Sequence, residues 1–89
     1  MTYKVEIDIT KILPLLKRLG IFKYVRGKTY VFIKAEDPDE ACALSIEQIG
    51  QEMITINDTT AVRDLVMNLS FSIRVTKITR IGPQANGGF

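Results

Sequence analysis

Tyr3-Lys4-Val5-Glu6-Ile7-Asp8-Ile9 alternates apolar and charged side chains without a break. A period of two belongs to a strand with one face buried and the other in water. Tyr3, Val5, Ile7 and Ile9 are therefore expected in the core, and Lys4, Glu6 and Asp8 on the opposite face. A sheet wetted on one side needs helices on the other. That requirement frames the reading of the remaining chain.

Downstream of this strand, Ile12, Leu15, Leu16 and Leu19 share one helical face, with Leu13 off the stripe. Thr10 is the expected N-cap, Gly20 the C-terminal stop, and Pro14 fits only the first turn. Residues 21–25 and 28–35 read as two strands joined at Arg26-Gly27 in a hairpin, Gly27 supplying the positive φ of a tight turn. Residues 36–53 carry the clearest helix signal. Asp37 is the expected N-cap, Pro38 the first helical residue, and Glu40 completes a capping box. Cys42, Ile46, Ile49 and Met53 form its expected buried stripe, flanked by Ala41 and Leu44.

Asn57-Asp58-Thr59 breaks the chain, and Val62, Leu65, Val66 and Leu69 make the apolar face of a short helix over 59–69. Residues 70–81 read as a last strand, with Phe71, Ile73 and Val75 alternating with Ser72, Arg74 and Thr76. Ile78 breaks that parity, and a bulge near Thr76 and Lys77 accounts for the slip. Residues 82–89 read as a mobile tail. The element order predicts a single α+β domain over 1–81. It is expected to be a split β-α-β (ferredoxin-like) sandwich: a four-stranded, mainly antiparallel sheet with two or three helices on one face.

Charge is sorted along the chain. Seven bases and no acid lie between Lys11 and Lys34, and eight acids with one base, Arg63, lie between Glu36 and Asp64. After Asp64 only Arg74, Lys77 and Arg80 carry side-chain charge. The net charge of +2 conceals this layout. A basic surface draws phosphate or an acidic partner, and an acidic one repels it.

Composition narrows the chemistry. The chain has 89 residues, one cysteine (Cys42) and no histidine. An intrachain disulfide is excluded, a cysteine-based zinc site is not expected, and the commonest acid–base side chain is missing. No apolar run approaches the ~20 residues of a membrane span, and the charged N-terminus does not read as a signal peptide. The expected setting is the cytoplasm of a bacterium or a phage-infected host, with no cofactor, no metal and no membrane contact.

The residues that could carry a function are few. If Val31, Ile33 and Ala35 face the helices, Tyr30, Phe32 and Lys34 face away, joined by Lys4, Glu6, Asp8, Ser72, Arg74 and Thr76 from neighbouring strands. Rings between basic side chains are how a sheet stacks bases and neutralises phosphates. Exposed apolar surface on such a face also marks a protein interface. Lys17, Arg18, Lys23, Arg26 and Lys28 form a candidate basic patch around the end of the first helix. The acidic stretch 36–40 reads as capping rather than cation binding, and Cys42 as a small core residue.

Arg26-Gly27-Lys28-Thr29-Tyr30-Val31-Phe32-Ile33 partly resembles the longer signature of RNA-recognition motifs, on the third predicted strand. Arg26-Gly27, Tyr30 and Val31 fit, whereas Lys28, Thr29 and Ile33 depart from it. Val5-Glu6-Ile7-Asp8 puts acids where the companion motif would stand. The resemblance implies nucleic-acid binding through Tyr30, Phe32, Lys34 and Arg74. More widely, Ala35-Glu36-Asp37-Pro38-Asp39-Glu40-Ala41 opening a helix, followed by a closing strand over 73–81, resembles small α+β proteins of tailed bacteriophages. That likeness implies a phage or bacterial origin and no defined activity.

The leading expectation is a small non-catalytic interaction module that self-associates as a homo-oligomer, most simply a dimer. A nucleic-acid-binding accessory protein using the open sheet face is the alternative, and an enzyme the third reading.

Overall fold

A computed structural model describes residues 1–81; the tail expected over 82–89 lies outside them. Three strands, β1 (Thr2–Asp8), β2 (Lys28–Lys34) and β3 (Arg74–Arg80), form one sheet in the order β2-β1-β3. Both flanking strands run antiparallel to β1. The alternating segment at the N-terminus is thus the central strand, with Tyr3, Val5, Ile7 and Ile9 buried.

Four helices complete the α+β fold: α1 (Leu13–Arg18), α2 (Pro38–Ile56), α3 (Thr60–Met67) and α4 (Leu69–Ser72). Ile49 and Met53 of α2, Val62 of α3, Leu69 of α4 and Leu16 of α1 all join the buried faces of the strands in one core. α2 touches all three strands and is the backbone of the helical layer.

The sheet has three strands where four were expected, because residues 21–25 do not extend. They run through turns, with Ile21, Tyr24 and Gly27 buried and Phe22 and Val25 exposed. A spacing of three between buried positions belongs to turns, not to a strand. Side-chain contacts to the C-terminal part of α2 and its cap hold this loop and the residue that ends α1. The Tyr24 hydroxyl donates to Glu52 Oε1 at 2.6 Å, and Asn57 Nδ2 donates to the Leu19 carbonyl at 2.6 Å. No β2 hairpin forms, although Gly27 does take the expected positive φ of 73°. It clasps the end of β1: the Ile9 N–H donates to the Gly27 carbonyl at 2.7 Å.

Helix ends follow the sequence closely. The Asp37 carboxylate accepts the Glu40 N–H at 2.8 Å, and Glu40 reaches back to the Glu36 N–H at 2.8 Å. Thr59 caps α3, its hydroxyl accepting the Val62 N–H at 3.2 Å. Gly20 stops α1 with φ 76°, the Ile21 N–H donating to the Leu16 carbonyl at 2.9 Å. Thr10 is not the cap expected of it. It opens a 3-10 turn, its N–H donates to Asp8 Oδ1 at 2.9 Å, and its hydroxyl faces the Gly27 carbonyl.

Two further expectations shift. On α2 the most deeply buried positions are Ala41, Ser45, Ile49, Gly50 and Met53, so Cys42 and Ile46 sit only half-buried at the margin. Small residues are preferred where the helix lies close to its neighbours; a Cβ on Gly50 would stand 2.7 Å from Val66 Cγ1 of α3. The last strand starts later than expected. Leu69 and Ile73 are buried four residues apart across the helical turn α4, which sends Phe71 into solvent instead of into the sheet.

The bulge falls where the parity slip placed it. Ile7 pairs with Val75 and Glu6 with Lys77, leaving Thr76 as the extra residue. The Thr76 hydroxyl donates to the Glu6 carbonyl at 3.2 Å.

Candidate functional site

Among the described residues, none covers the face of the sheet away from the helices. Directly paired residues on antiparallel strands share a face, so the register lays out this surface in rows. Across β2, β1 and β3 they read Lys28–Asp8–Arg74, Tyr30–Glu6–Lys77 and Phe32–Lys4–Thr79, with Lys34 beside Thr2 at the end. Rows lie about 7 Å apart along the strands. Tyr30, Phe32, Lys34 and Arg74, all expected here, share this face. Lys77 and Thr79 replace the expected Thr76, because the bulge inserts one residue before them. Ser72 is left behind in α4.

Tyr30 and Phe32 are 55% and 54% exposed, an unusual state for two large rings on one strand. They meet edge to face, with centroids 5.5 Å apart. The Lys4 ammonium stands 4.7 Å from the centre of the Tyr30 ring. A cation over a ring is attracted by its negative face. Lys4 thereby steadies Tyr30 and keeps a positive charge in the middle of the surface.

Five cations (Lys4, Lys28, Lys34, Arg74, Lys77) stand against two carboxylates (Glu6, Asp8), so the face is net positive. Asp8 lies between Lys28 and Arg74, with Arg74 Nη2 4.0 Å from its Oδ2. The hydrogen bonds from Thr10, aided by these two cations, hold the Asp8 carboxyl below its ordinary range. It stays ionised and screens its neighbours without cancelling the surplus.

Behind this face, α2 and α3 carry the opposite sign. Residues 36–64, which hold α2 and most of α3, carry eight acids, from Glu36 to Asp64, and Arg63 as their one base. Arg63 itself pairs with Asp58 at 2.7 Å. The acidic block of the sequence thus lies on α2 and α3 and their flanks, whereas of the basic block only Lys28 and Lys34 reach the open face, Lys17 and Arg18 ending α1.

A groove of about 500 Å³ continues the face beyond the end of β1. Asp8, Thr10, Lys11, Phe71, Ser72, Ile73 and Arg74 line it. Phe71 is 82% exposed here, and Met67, one turn before it, is 80% exposed. Sequence reading missed this groove, having placed Phe71 in a strand.

The candidate basic patch divides. Lys23, Arg26 and Lys28 border one shallow depression of about 270 Å³, together with Tyr24. Lys17 and Arg18 end α1 as exposed charges and do not line it. Lys23 is committed to Glu52 at 3.0 Å. Burial pushes the Tyr24 hydroxyl well above its ordinary range, and the Glu52 carboxylate adds to that. Partial burial works to raise the Glu52 carboxyl, but hydrogen bonds from Tyr24 and Lys23 outweigh it and leave it lowered. This trio fastens the loop and is structural.

Among the described residues no group of three or more Cys, Asp or Glu side chains is placed to hold a metal ion, and no helix is long and apolar enough to cross a membrane. Comparison of the chain with protein-family models, with curated proteins and with solved structures found no match in any of the three.

Proposed function

We propose that this protein is a small non-catalytic interaction module whose open sheet face docks a partner of complementary negative charge. One observation carries the reading: two half-exposed rings lie inside a net-positive sheet face that no described residue covers, while α2 and α3 behind it are acidic. Exposed rings supply contact area at low entropic cost, and the cations set orientation and speed encounter.

Self-association is the second reading, favoured by the acidic helices. Face-to-face pairing about a two-fold axis would press like charges together, which costs affinity. Docking of one copy's sheet face on the next copy's α2 side satisfies the charges and produces a ring or an open chain rather than a two-fold dimer.

Titration of the isotopically labelled protein with polyglutamate tests the main reading through amide shifts. Shifts confined to β2, the Lys4 region and β3, and abolished by salt, are expected. Shifts centred on α1, or none at all, would overturn it. Sedimentation over a dilution series separates the second reading. A concentration-dependent ladder supports head-to-tail association, and a strict monomer at high concentration removes it.

A further inference from the structure

We infer that the partner of this face is a single-stranded polynucleotide, its bases stacked on Phe32, Tyr30 and Phe71 and its phosphates held by the cations of β2 and β3. The inference rests on the sheet face being the docking surface, and it names the partner's chemistry.

Three observations converge. First, three exposed rings lie on or beside this face, whereas a fourth, Phe22, belongs to the loop 21–25. Phe32 and Tyr30 occupy successive rows of β2. The next row contains Asp8 and Arg74, and both also line the groove that holds Phe71. Tyr30 and Phe32, one strand repeat apart along β2, suit an extended chain whose bases are splayed apart. A duplex keeps its bases stacked inside and cannot offer them to a protein ring without flipping.

Second, the cations stand beside these rings. Lys28 and Lys34 border them on β2, Arg74 and Lys77 on β3, and Lys11 at the groove. Glu6 and Asp8 occupy the central strand between them. A backbone is therefore steered along the flanks and crosses the central strand only at the Asp8 row, between Lys28 and Arg74. A flexible single strand meets the carboxylates at that one crossing, whereas the broad phosphate lattice of a duplex lies over both.

Third, the Lys4 ammonium covers a face of Tyr30 at 4.7 Å. A base stacking there takes the place of the ammonium, which is then free to meet a phosphate at the same row. The cation–ring contact of the free protein is exchanged for a base–ring contact and a charge pair. An acidic peptide would satisfy the cations equally well, but a run of carboxylates offers no flat face to stack on the three rings.

The test uses the full chain with oligo-uridine and oligo-thymidine of about eight nucleotides, a duplex of similar charge, and polyglutamate. The two single strands are expected to bind more tightly than the other two probes. Log affinity should fall with log salt at a slope of about −2 to −3.5, the value for three to five phosphates on a single strand. Tyr30 is the one exposed tyrosine among the three, and the chain has no tryptophan, so quenching of tyrosine emission reports stacking directly.

Tyr30→Leu should abolish the quenching, and Phe32→Leu and Phe71→Leu should each weaken binding about 5- to 100-fold. Lys77→Gln should lower the salt slope by about 0.7. Glu6→Gln should tighten binding. All these positions are wholly or partly exposed, and unchanged far-UV spectra verify the fold of each variant. A stronger response to uridine than to thymidine assigns RNA, and the reverse assigns DNA; either supports the inference.

Polyglutamate matching the oligonucleotides, with no effect of the ring substitutions, would overturn the inference in favour of an acidic protein partner while leaving the sheet face as the docking surface. Tighter binding of the duplex would overturn it as well. Failure of every polyanion to perturb the face would sink both.

Discussion

Gly20 and Gly27 share nearly the same backbone conformation, φ 76° and 73°, in very different surroundings. Substituting each by alanine therefore separates backbone strain from steric conflict. A left-handed conformation costs a residue with a Cβ about 1–2 kcal/mol. At Gly20 that is nearly the whole cost, because the nearest atom to a new Cβ is Asn57 Nδ2 at 4.0 Å. At Gly27 the Cβ would stand 2.6 Å from Thr10 Oγ1, 3.2 Å from Leu13 Cδ1 and 3.4 Å from Thr10 Cα. Thr10 must rotate or the backbone must shift, adding about 1–3 kcal/mol, the usual cost of overpacking. Gly20→Ala should lower Tm by about 4–16 °C, and Gly27→Ala by about 8–40 °C, at 4–8 °C per kcal/mol for a domain of this size. Thermal and urea unfolding followed by far-UV circular dichroism measures both. Thr10→Ala in the Gly27→Ala background should recover part of the loss, since it removes the closest atom. Equal losses at the two glycines, or no recovery, would refute the claim that Gly27 clasps the end of β1.

Other outcomes follow from the same geometry. Tyr24→Phe removes a hydrogen bond to a charged carboxylate and should cost about 1–3 kcal/mol in urea unfolding. Because the Glu52 carboxyl is lowered in the folded state from 4.5, its contribution is present above that pH and lost as pH falls below it. Glu52→Gln should flatten part of the acid limb, with Asp8 and Asp58, also lowered, keeping the rest. Tyr24 is raised above 10.0, so its neutral form stabilises the fold below that pH and the benefit is lost as pH climbs beyond it. Deleting Thr76 should leave the protein folded at a cost of about 1 kcal/mol. Lys77 already pairs with Glu6, so removal of the bulge residue regularises β3 without turning over its faces. An unfolded deletion variant would contradict the pairing.

The readable parts of the fold were those with local causes. Strict alternation marked β1, the Asp37–Glu40 cap marked α2, and the parity slip at Ile78 located the bulge. The misread parts depend on distant partners or on small residues. Residues 21–25 are apolar enough for a strand, but Tyr24 is drawn to Glu52, 28 residues away, and nothing nearby announces that bond. On α2 the larger Cys42 and Ile46 drew the stripe away from Ala41 and Ser45, whose smallness is what close packing requires. Phe71 was misplaced although a signal existed. Val62, Val66, Leu69 and Ile73 step by four, three and four residues, so the helical period runs on past Met67 and leaves Phe71 outside. The open face was anticipated at Tyr30, Phe32, Lys34 and Arg74. Lys77 needed the bulge to reach it, and the Phe71 groove needed the tertiary fold.

The most direct measurement compares two double variants of equal net charge. Lys34→Glu with Lys77→Glu inverts two cations on the open face, whereas Lys17→Glu with Arg18→Glu inverts two at the end of α1; all four side chains are exposed. Polyanion affinity of both proteins, measured at one low salt concentration, should collapse for the face pair and stay within a few-fold of wild type for the α1 pair. Equal losses, or a greater loss for the α1 pair, would contradict the assignment of binding to the sheet face.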